Sequence, residues 1–125
     1  MKKRILIIDD SPTLRKVLKF FLIKNNYSVT EASDGEIGLK YINNNIFDLI
    51  ILDLNMPVLN GFEVLEKLKG KNLSKIPVII LTGDKREKEK VETICPGNSK
   101  FMTKPFKPVE IITMIQTVFE NEVNI

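Results

Sequence analysis

The most constraining stretch of the chain is Leu49-Ile50-Ile51-Leu52-Asp53, four consecutive apolar residues closed by an acid. The run is too short for a globular helix and Ile is β-branched. Asn55 and Pro57 punctuate the chain just beyond, so the run is read as a strand leading into a loop. Apolar and polar positions do not alternate along it. A strand of that kind is covered on both faces, as in a parallel sheet with helices on each side. Asp53 then stands at the strand's carboxyl end, the edge at which open α/β sheets bind ligands.

The rest of the chain repeats this pattern. Arg4 to Ile8 is a second short strand ending in Asp9-Asp10, and Ser11-Pro12 supplies an N-cap with proline at the first helical position. Leu14, Val17, Leu18 and Phe21 recur at helical spacing and predict an amphipathic helix to about Lys24, ended by Asn25-Asn26. Tyr27 to Glu31 alternates and predicts a second strand. Ser33-Asp34-Gly35 is a turn, and Glu36 to about Asn43 predicts a helix with Ile37, Tyr41 and Ile42 inward, broken by Asn43-Asn44-Asn45. After the third strand, Val58 to Gly61 is a loop, Phe62, Leu65 and Leu68 mark one face of a third helix, and Gly70 closes it. Ile76 to Leu81 is a buried-type strand with Pro77 at its entry, and it runs into Thr82-Gly83-Asp84. A charged helix follows from about Lys85 to Ile94, with Val91 and Ile94 as its core anchors, and so is expected to be short or mobile. Ser99 to Thr103 predicts a fifth strand ending at Lys104-Pro105, and Pro108 opens a last helix with Val109, Ile112, Ile115 and Phe119 inward. Five β-α units in succession imply a doubly wound α/β fold with a parallel five-stranded sheet, right-handed crossovers and helices on both faces. No repeat or linker interrupts it, so residues 1–125 are expected to form one domain.

Composition narrows the chemistry. The chain has no histidine, which excludes Ser-His-Asp and Cys-His catalysis, His-ligated metals and a role as phosphohistidine donor. Any metal must rest on oxygen ligands, which favours Mg²⁺, Ca²⁺ or Mn²⁺. The lone Cys95 fits a structural thiol in a reducing compartment, and no apolar run reaches the length of a signal peptide core or a membrane span, so a cytoplasmic location is expected. A net charge of +3 with mixed signs gives little support for nucleic acid binding. The run Lys85-Arg86-Glu87-Lys88-Glu89-Lys90 is read as a solvated helix face with i,i+4 pairs.

Four of the five predicted strands end in polar groups that the fold does not require: Asp9-Asp10, Asp53, Thr82 and Lys104. In a parallel sheet these ends share one edge. Three carboxylates brought together repel one another, and a hard divalent cation such as Mg²⁺ resolves the conflict. With Lys104, the Thr82 hydroxyl and a backbone N–H at Gly83, such a site suits a phosphoryl group. The chain has no glycine-rich loop of the nucleotide-binding type, so Asp53 itself is the candidate point of attachment.

At these residues the chain resembles the receiver domains of two-component response regulators, of the single-domain chemotaxis-regulator kind. The resemblance rests on Asp9-Asp10, on the block from Asp53-Leu54-Asn55-Met56-Pro57 to Asn60-Gly61, on Thr82-Gly83, and on Phe101-Met102-Thr103-Lys104-Pro105-Phe106. It covers essentially the whole chain in order and implies a flavodoxin-like fold with sheet order 2-1-3-4-5. It also implies roles. Asp53 is the phosphoacceptor. Asp10, Asp53 and the backbone carbonyl of Asn55 hold Mg²⁺, with Asp9 acting through water and Mn²⁺ as a substitute. Thr82 bonds the phosphoryl oxygen, and Lys104, joined to Pro105 by a cis peptide, pairs first with Asp53 and then with the phosphate. Phe101 is the aromatic whose rotamer follows Thr82, although a Phe on strand five equally suits plain core. Asn55 and Asp84 occupy positions that tune hydrolysis of the acyl phosphate, and equally suit solvated loop residues.

The implied donor is a sensor histidine kinase or phosphotransfer protein. The output is a contact of the helix 4–strand 5–helix 5 face with a protein target that the sequence does not name. No direct nucleic acid contact and no membrane insertion are expected, and a monomer and a phosphorylation-dependent dimer both stay open. The chain is either free-standing or part of a longer regulator. The sequence departs from the family pattern at Pro96-Gly97-Asn98. The rival reading is a Mg²⁺-dependent hydrolase or phosphotransferase with an Asp nucleophile. It lacks a second acid two residues after Asp53, where Asn55 stands.

Overall fold

The computed structural model describes residues 2–56, 60–70, 76–94 and 99–123. Expectations for Pro57 to Leu59 and for Cys95 to Asn98 lie outside these residues. The elements are β1 (Arg4–Ile8), α1 (Pro12–Lys24), β2 (Ser28–Ala32), α2 (Gly35–Asn44), β3 (Leu49–Asp53), α3 (Gly61–Gly70), β4 (Val78–Thr82), a 3₁₀ turn (Lys85–Glu87), α4 (Lys88–Ile94), β5 (Ser99–Thr103) and α5 (Pro108–Val123). All neighbouring strands pair in parallel, in the order β2-β1-β3-β4-β5. No helix among the described residues is long and apolar enough to cross a membrane.

The unbroken apolar strands follow from this architecture. Alternate residues of β1, β3 and β4 feed two separate cores. Leu6, Ile8, Ile50, Leu52 and Ile80 pack with Leu39, Ile42, Val64, Leu65, Leu68 and Val91 from α2, α3 and α4. Ile5, Ile7, Leu49, Ile51, Ile79 and Leu81 pack with Leu18 and Leu22 of α1 and Ile111, Ile112 and Ile115 of α5. A polar residue at any of these positions would face one core or the other. Each buried Leu or Ile contributes about 1.5–3 kcal/mol relative to exposure.

Helix starts follow their sequence signals. The Ser11 hydroxyl accepts the Leu14 N–H at 3.2 Å, with Pro12 at the first helical position, and Asp34 accepts the Ile37 N–H at 2.8 Å. At α3, Asn60 Oδ1 accepts the Glu63 N–H and Glu63 Oε1 accepts the Asn60 N–H, each at 3.1 Å, a reciprocal capping box. Asn26, at φ 71, takes the left-handed conformation just beyond α1 that asparagine tolerates.

Some faces differ from expectation. The buried stripe of α2 is Gly35, Gly38, Leu39 and Ile42, whereas Ile37 and Tyr41 are exposed. A Cβ on Gly38 would meet Ile8 Cδ1 at 2.5 Å, so the absence of a side chain lets α2 lie close on the sheet. Val17 and Val109 are likewise exposed, and Ile111 takes the inward place expected of Val109. The strand after α1 is Ser28–Ala32, one residue later than its alternation suggests. The predicted charged helix from Lys85 is a 3₁₀ turn followed by a seven-residue α4, because Asp84 caps the turn by accepting the Arg86 N–H at 2.9 Å.

Candidate functional site at the carboxyl edge of the sheet

The strand order brings the carboxyl ends of β1, β3, β4 and β5 together, and with them Asp9, Asp53, Thr82 and Lys104. Register fixes their relative heights. Asp53 pairs with Leu81, Thr82 pairs with Thr103, and the Lys104 N–H donates to the Thr82 carbonyl at 2.7 Å. Asp9, Asp53 and Thr82 are buried, the polar exceptions to an otherwise apolar interior among the described residues. Asp9, Asp10 and Asp53 each present a carboxylate oxygen, and these oxygens lie within 4.8 Å of one another.

Lys104 Nζ sits 3.3 Å from Asp9 Oδ2 and 3.3 Å from Asp53 Oδ2 and so bridges the two buried acids. The other oxygens are held by backbone: Asp9 Oδ1 accepts the Ser11 N–H at 2.8 Å, and Asp53 Oδ1 accepts the Asn55 N–H at 3.0 Å. Burial pushes the Asp53 carboxyl above the ordinary carboxylate range. The Asn55 N–H bond and Lys104 oppose that rise, and the Asp9 charge adds to it. One ammonium against three carboxylates leaves the cluster with excess negative charge and an all-oxygen donor set, which fits a hard divalent cation. The Lys104–Pro105 peptide is cis.

Two glycines near Asp53 and Thr82 have different surroundings. A Cβ on Gly61 would lie 2.6 Å from both the Asp53 carbonyl oxygen and Leu54 Cα, which are backbone atoms that cannot swing aside. The Gly61 N–H donates to the Leu54 carbonyl at 3.1 Å, so α3 starts directly against the chain that carries Asp53. At Gly83 a Cβ would meet nothing within 4 Å.

The Thr82 hydroxyl is fully engaged. It accepts the Asn55 amide at 3.1 Å and the Asp84 N–H at 3.1 Å, and it donates to a Glu87 carboxylate oxygen. Asn55 Nδ2 also lies 3.5 Å from that oxygen. Asp84 is read from the sequence either as a residue that tunes hydrolysis or as a solvated loop residue. In the structure only its N–H reaches Thr82, and its carboxylate turns to the Arg86 guanidinium, at 3.0 Å, which holds the Asp84 carboxyl below the usual range. Glu87, read from the sequence as one charge in a solvated run, takes the place beside Thr82. Arg15 was also missed. It donates to the Asp9 carbonyl at 2.6 Å and pairs with Glu31 at 3.3 Å, pinning the β1–α1 loop. Its position off the apolar face of α1 and four residues after the cap was the available signal.

Phe101 is half-buried on β5, paired with Ile80 and packed against the core beneath α4. It borders a cavity of about 300 Å³ lined by Lys88, Val91, Glu92, Ser99, Lys100 and Met114.

The geometry has close counterparts. The chain is 31% identical to the Vibrio cholerae chemotaxis protein CheY4, with a TM-score of 0.84 over 94% of this chain and 99% of that one. It superposes at a TM-score of 0.81, with 29% identity, on the Thermotoga maritima response regulator TrrA in complex with Mg²⁺-BeF, covering 93% of this chain and 98% of that one. Response regulator GtcR of Aneurinibacillus migulanus is 41% identical over 116 residues, 93% of this chain and 47% of the relative. The chain thus spans about half the length of the curated relatives it matches. Residues 5–116 match the response regulator receiver domain, and the chain therefore belongs to that family of two-component signalling proteins, whose mechanism is phosphorylation of an aspartate.

Proposed function

We propose that residues 1–125 act as one receiver unit, with Asp53 as the phosphoacceptor. The observation that carries this reading is the meeting of Asp9, Asp10 and Asp53 with Lys104 and Thr82 on one sheet edge. Asp53 is the acceptor because it ends the central strand, where its two oxygens are held by Lys104 and the Asn55 N–H and its carboxylate is aimed. In the transfer, an Asp53 oxygen bonds to phosphorus as the phosphorus–nitrogen bond of a phosphohistidine breaks, and the imidazole leaves with the electron pair. Asp9, Asp10, Asp53 and the Asn55 carbonyl would hold Mg²⁺, or Mn²⁺ in its place, which supplies charge neutralisation for the incoming phosphoryl group.

Lys104 then pairs with the new negative charge in place of the Asp53 oxygen. The Thr82 hydroxyl reorients toward it, and Phe101 moves into the space released beneath α4. The altered face of α4, β5 and α5 is read by a protein target. The donor is a sensor histidine kinase or phosphotransfer protein, the compartment is the cytoplasm, and the chain turns over no external substrate beyond its own phosphorylation and hydrolysis. Asn55, which bonds both Asp53 and Thr82, is the residue placed to influence the lifetime of the acyl phosphate.

The test is labelling by acetyl phosphate. The unmodified chain is expected to take up acid-labile label only with Mg²⁺ present, and Asp53→Asn to take up none. Unchanged labelling of Asp53→Asn would refute the assignment. Steady product release from generic phosphate esters would favour a hydrolase instead.

A further inference from the structure

The Thr82 hydroxyl has one proton to give and two lone pairs. Both lone pairs are used, by the Asn55 amide and the Asp84 N–H, each at 3.1 Å, and the proton goes to Glu87. Thr82 is buried, so water offers no substitute partner. A phosphoryl oxygen on Asp53 can therefore gain this proton only if Glu87 loses it. Glu87 also closes the 3₁₀ turn, its N–H donating to the Asp84 carbonyl at 3.2 Å, and α4 begins at the next residue.

We infer that Glu87 is a positioning residue that holds Thr82 in its resting orientation and fastens the start of α4 to the phosphorylation site. The inference rests on the receiver reading above and adds to it a competitor for the switch hydroxyl. Two anions contend for one donor. The resting anion is a carboxylate on the turn that leads into α4, and the arriving one is a phosphoryl group carrying about −1.5 to −2 of charge. When the phosphoryl group takes the proton, Glu87 is left beside a new negative charge and without its Thr82 partner. The turn it closes then moves away, and α4 moves with it. Asn55 shares both contacts, so the amide that steadies Asp53 through its own backbone also steadies the resting latch.

The latch makes phosphorylation and the α4 rearrangement oppose a defined contact, so removing the contact must favour the phosphorylated form. The experiment titrates the full chain with beryllofluoride in the presence of Mg²⁺, by calorimetry. Glu87→Ala is expected to tighten binding by about fivefold or more. Glu87→Gln keeps an acceptor for Thr82 but removes the charge, and is expected to tighten binding by less. In a Thr82→Ala background, the Glu87→Ala change is expected to fall below about twofold, as a residue acting through Thr82 requires. Amide shifts of residues 85–94 in unliganded Glu87→Ala are expected to move toward their beryllofluoride-bound positions.

Unchanged or weaker binding by Glu87→Ala, or an effect that persists undiminished without the Thr82 hydroxyl, overturns the latch. Absence of beryllofluoride binding by the unmodified chain would overturn the receiver reading as well. The two failures are therefore distinct.

Discussion

β3 and β4 lie side by side, both wholly buried and both ending in a buried polar residue, yet the chain leaves them in different ways. Beyond Asp53, α3 starts with a reciprocal Asn60–Glu63 cap, presses Gly61 onto the Asp53 backbone, and drives Val64, Leu65 and Leu68 into the core. Beyond Thr82, a three-residue turn leads into a seven-residue α4 whose buried contribution, among its described side chains, is Val91. Polar contacts supply much of the rest: Glu87 on Thr82, and Lys90 over the Phe62 ring at 4.4 Å. Asp53, the proposed acceptor, is mounted on apolar packing that a change of charge does not disturb. Thr82 and α4, the proposed responder, are mounted on contacts that a change of charge contests. A switch of modest energy needs both, a fixed point and a neighbour drawn from the less stable part of the fold.

The comparison can be broken by mutation. Leu65→Ala, on the acceptor side, is expected to cost about 2–5 kcal/mol in urea unfolding. Val91→Ala removes less buried area and is expected to cost distinctly less, while accelerating amide exchange across residues 85–94. Core-like protection of that segment in the unmodified chain, equal to that of residues 61–68, would remove the asymmetry altogether. Gly61→Ala places a Cβ against backbone and is expected to cost about 1–3 kcal/mol, with a loss of phosphorylation out of proportion to the stability change.

Asp53→Asn tests the acceptor side with the opposite sign. Burial raises the Asp53 carboxyl pKa in the folded chain above its unfolded value. The associated stability is present below the unfolded pKa and is lost as pH rises through the folded one. At neutral pH without Mg²⁺ the ionised Asp53 is therefore a net cost. Asn at this position is expected to raise the melting temperature at neutral pH, measured by thermal unfolding without Mg²⁺. Mg²⁺ is expected to stabilise the unmodified chain and not the variant. The smallest effect is at Gly83, where Ala meets open space and is expected to change stability by less than about 0.5 kcal/mol.

What the sequence disclosed follows the same division. The apolar strands and their polar terminators were legible because burial on both faces leaves no other pattern for β1, β3 and β4, and sheet order alone then gathers Asp9, Asp53, Thr82 and Lys104. The buried stripe of α2 was misread because Ile37 and Tyr41 outweigh glycine in any hydrophobic pattern, whereas contact with Ile8 selects the residue without a side chain. Glu87 was hidden among seven consecutive charges, Asp84 to Lys90. Which of them turns inward depends on the Asp84 cap and on the 3₁₀ geometry it imposes, neither of which is visible as a periodicity.

The Lys104–Asp9 ion pair joins residues 95 positions apart. The bridging cation directly follows the last strand, and the acids follow the first strand and close the third, so a fragment that ends before β5 has no Lys104 to set against the charge of Asp53. The ion pairing around Asp53, the proposed acceptor, is thus a property of the completed sheet. A chain that ends before β5 carries the same aspartate without the lysine that pairs with it, so the resting charge balance at this edge is set by the element added last to the sheet.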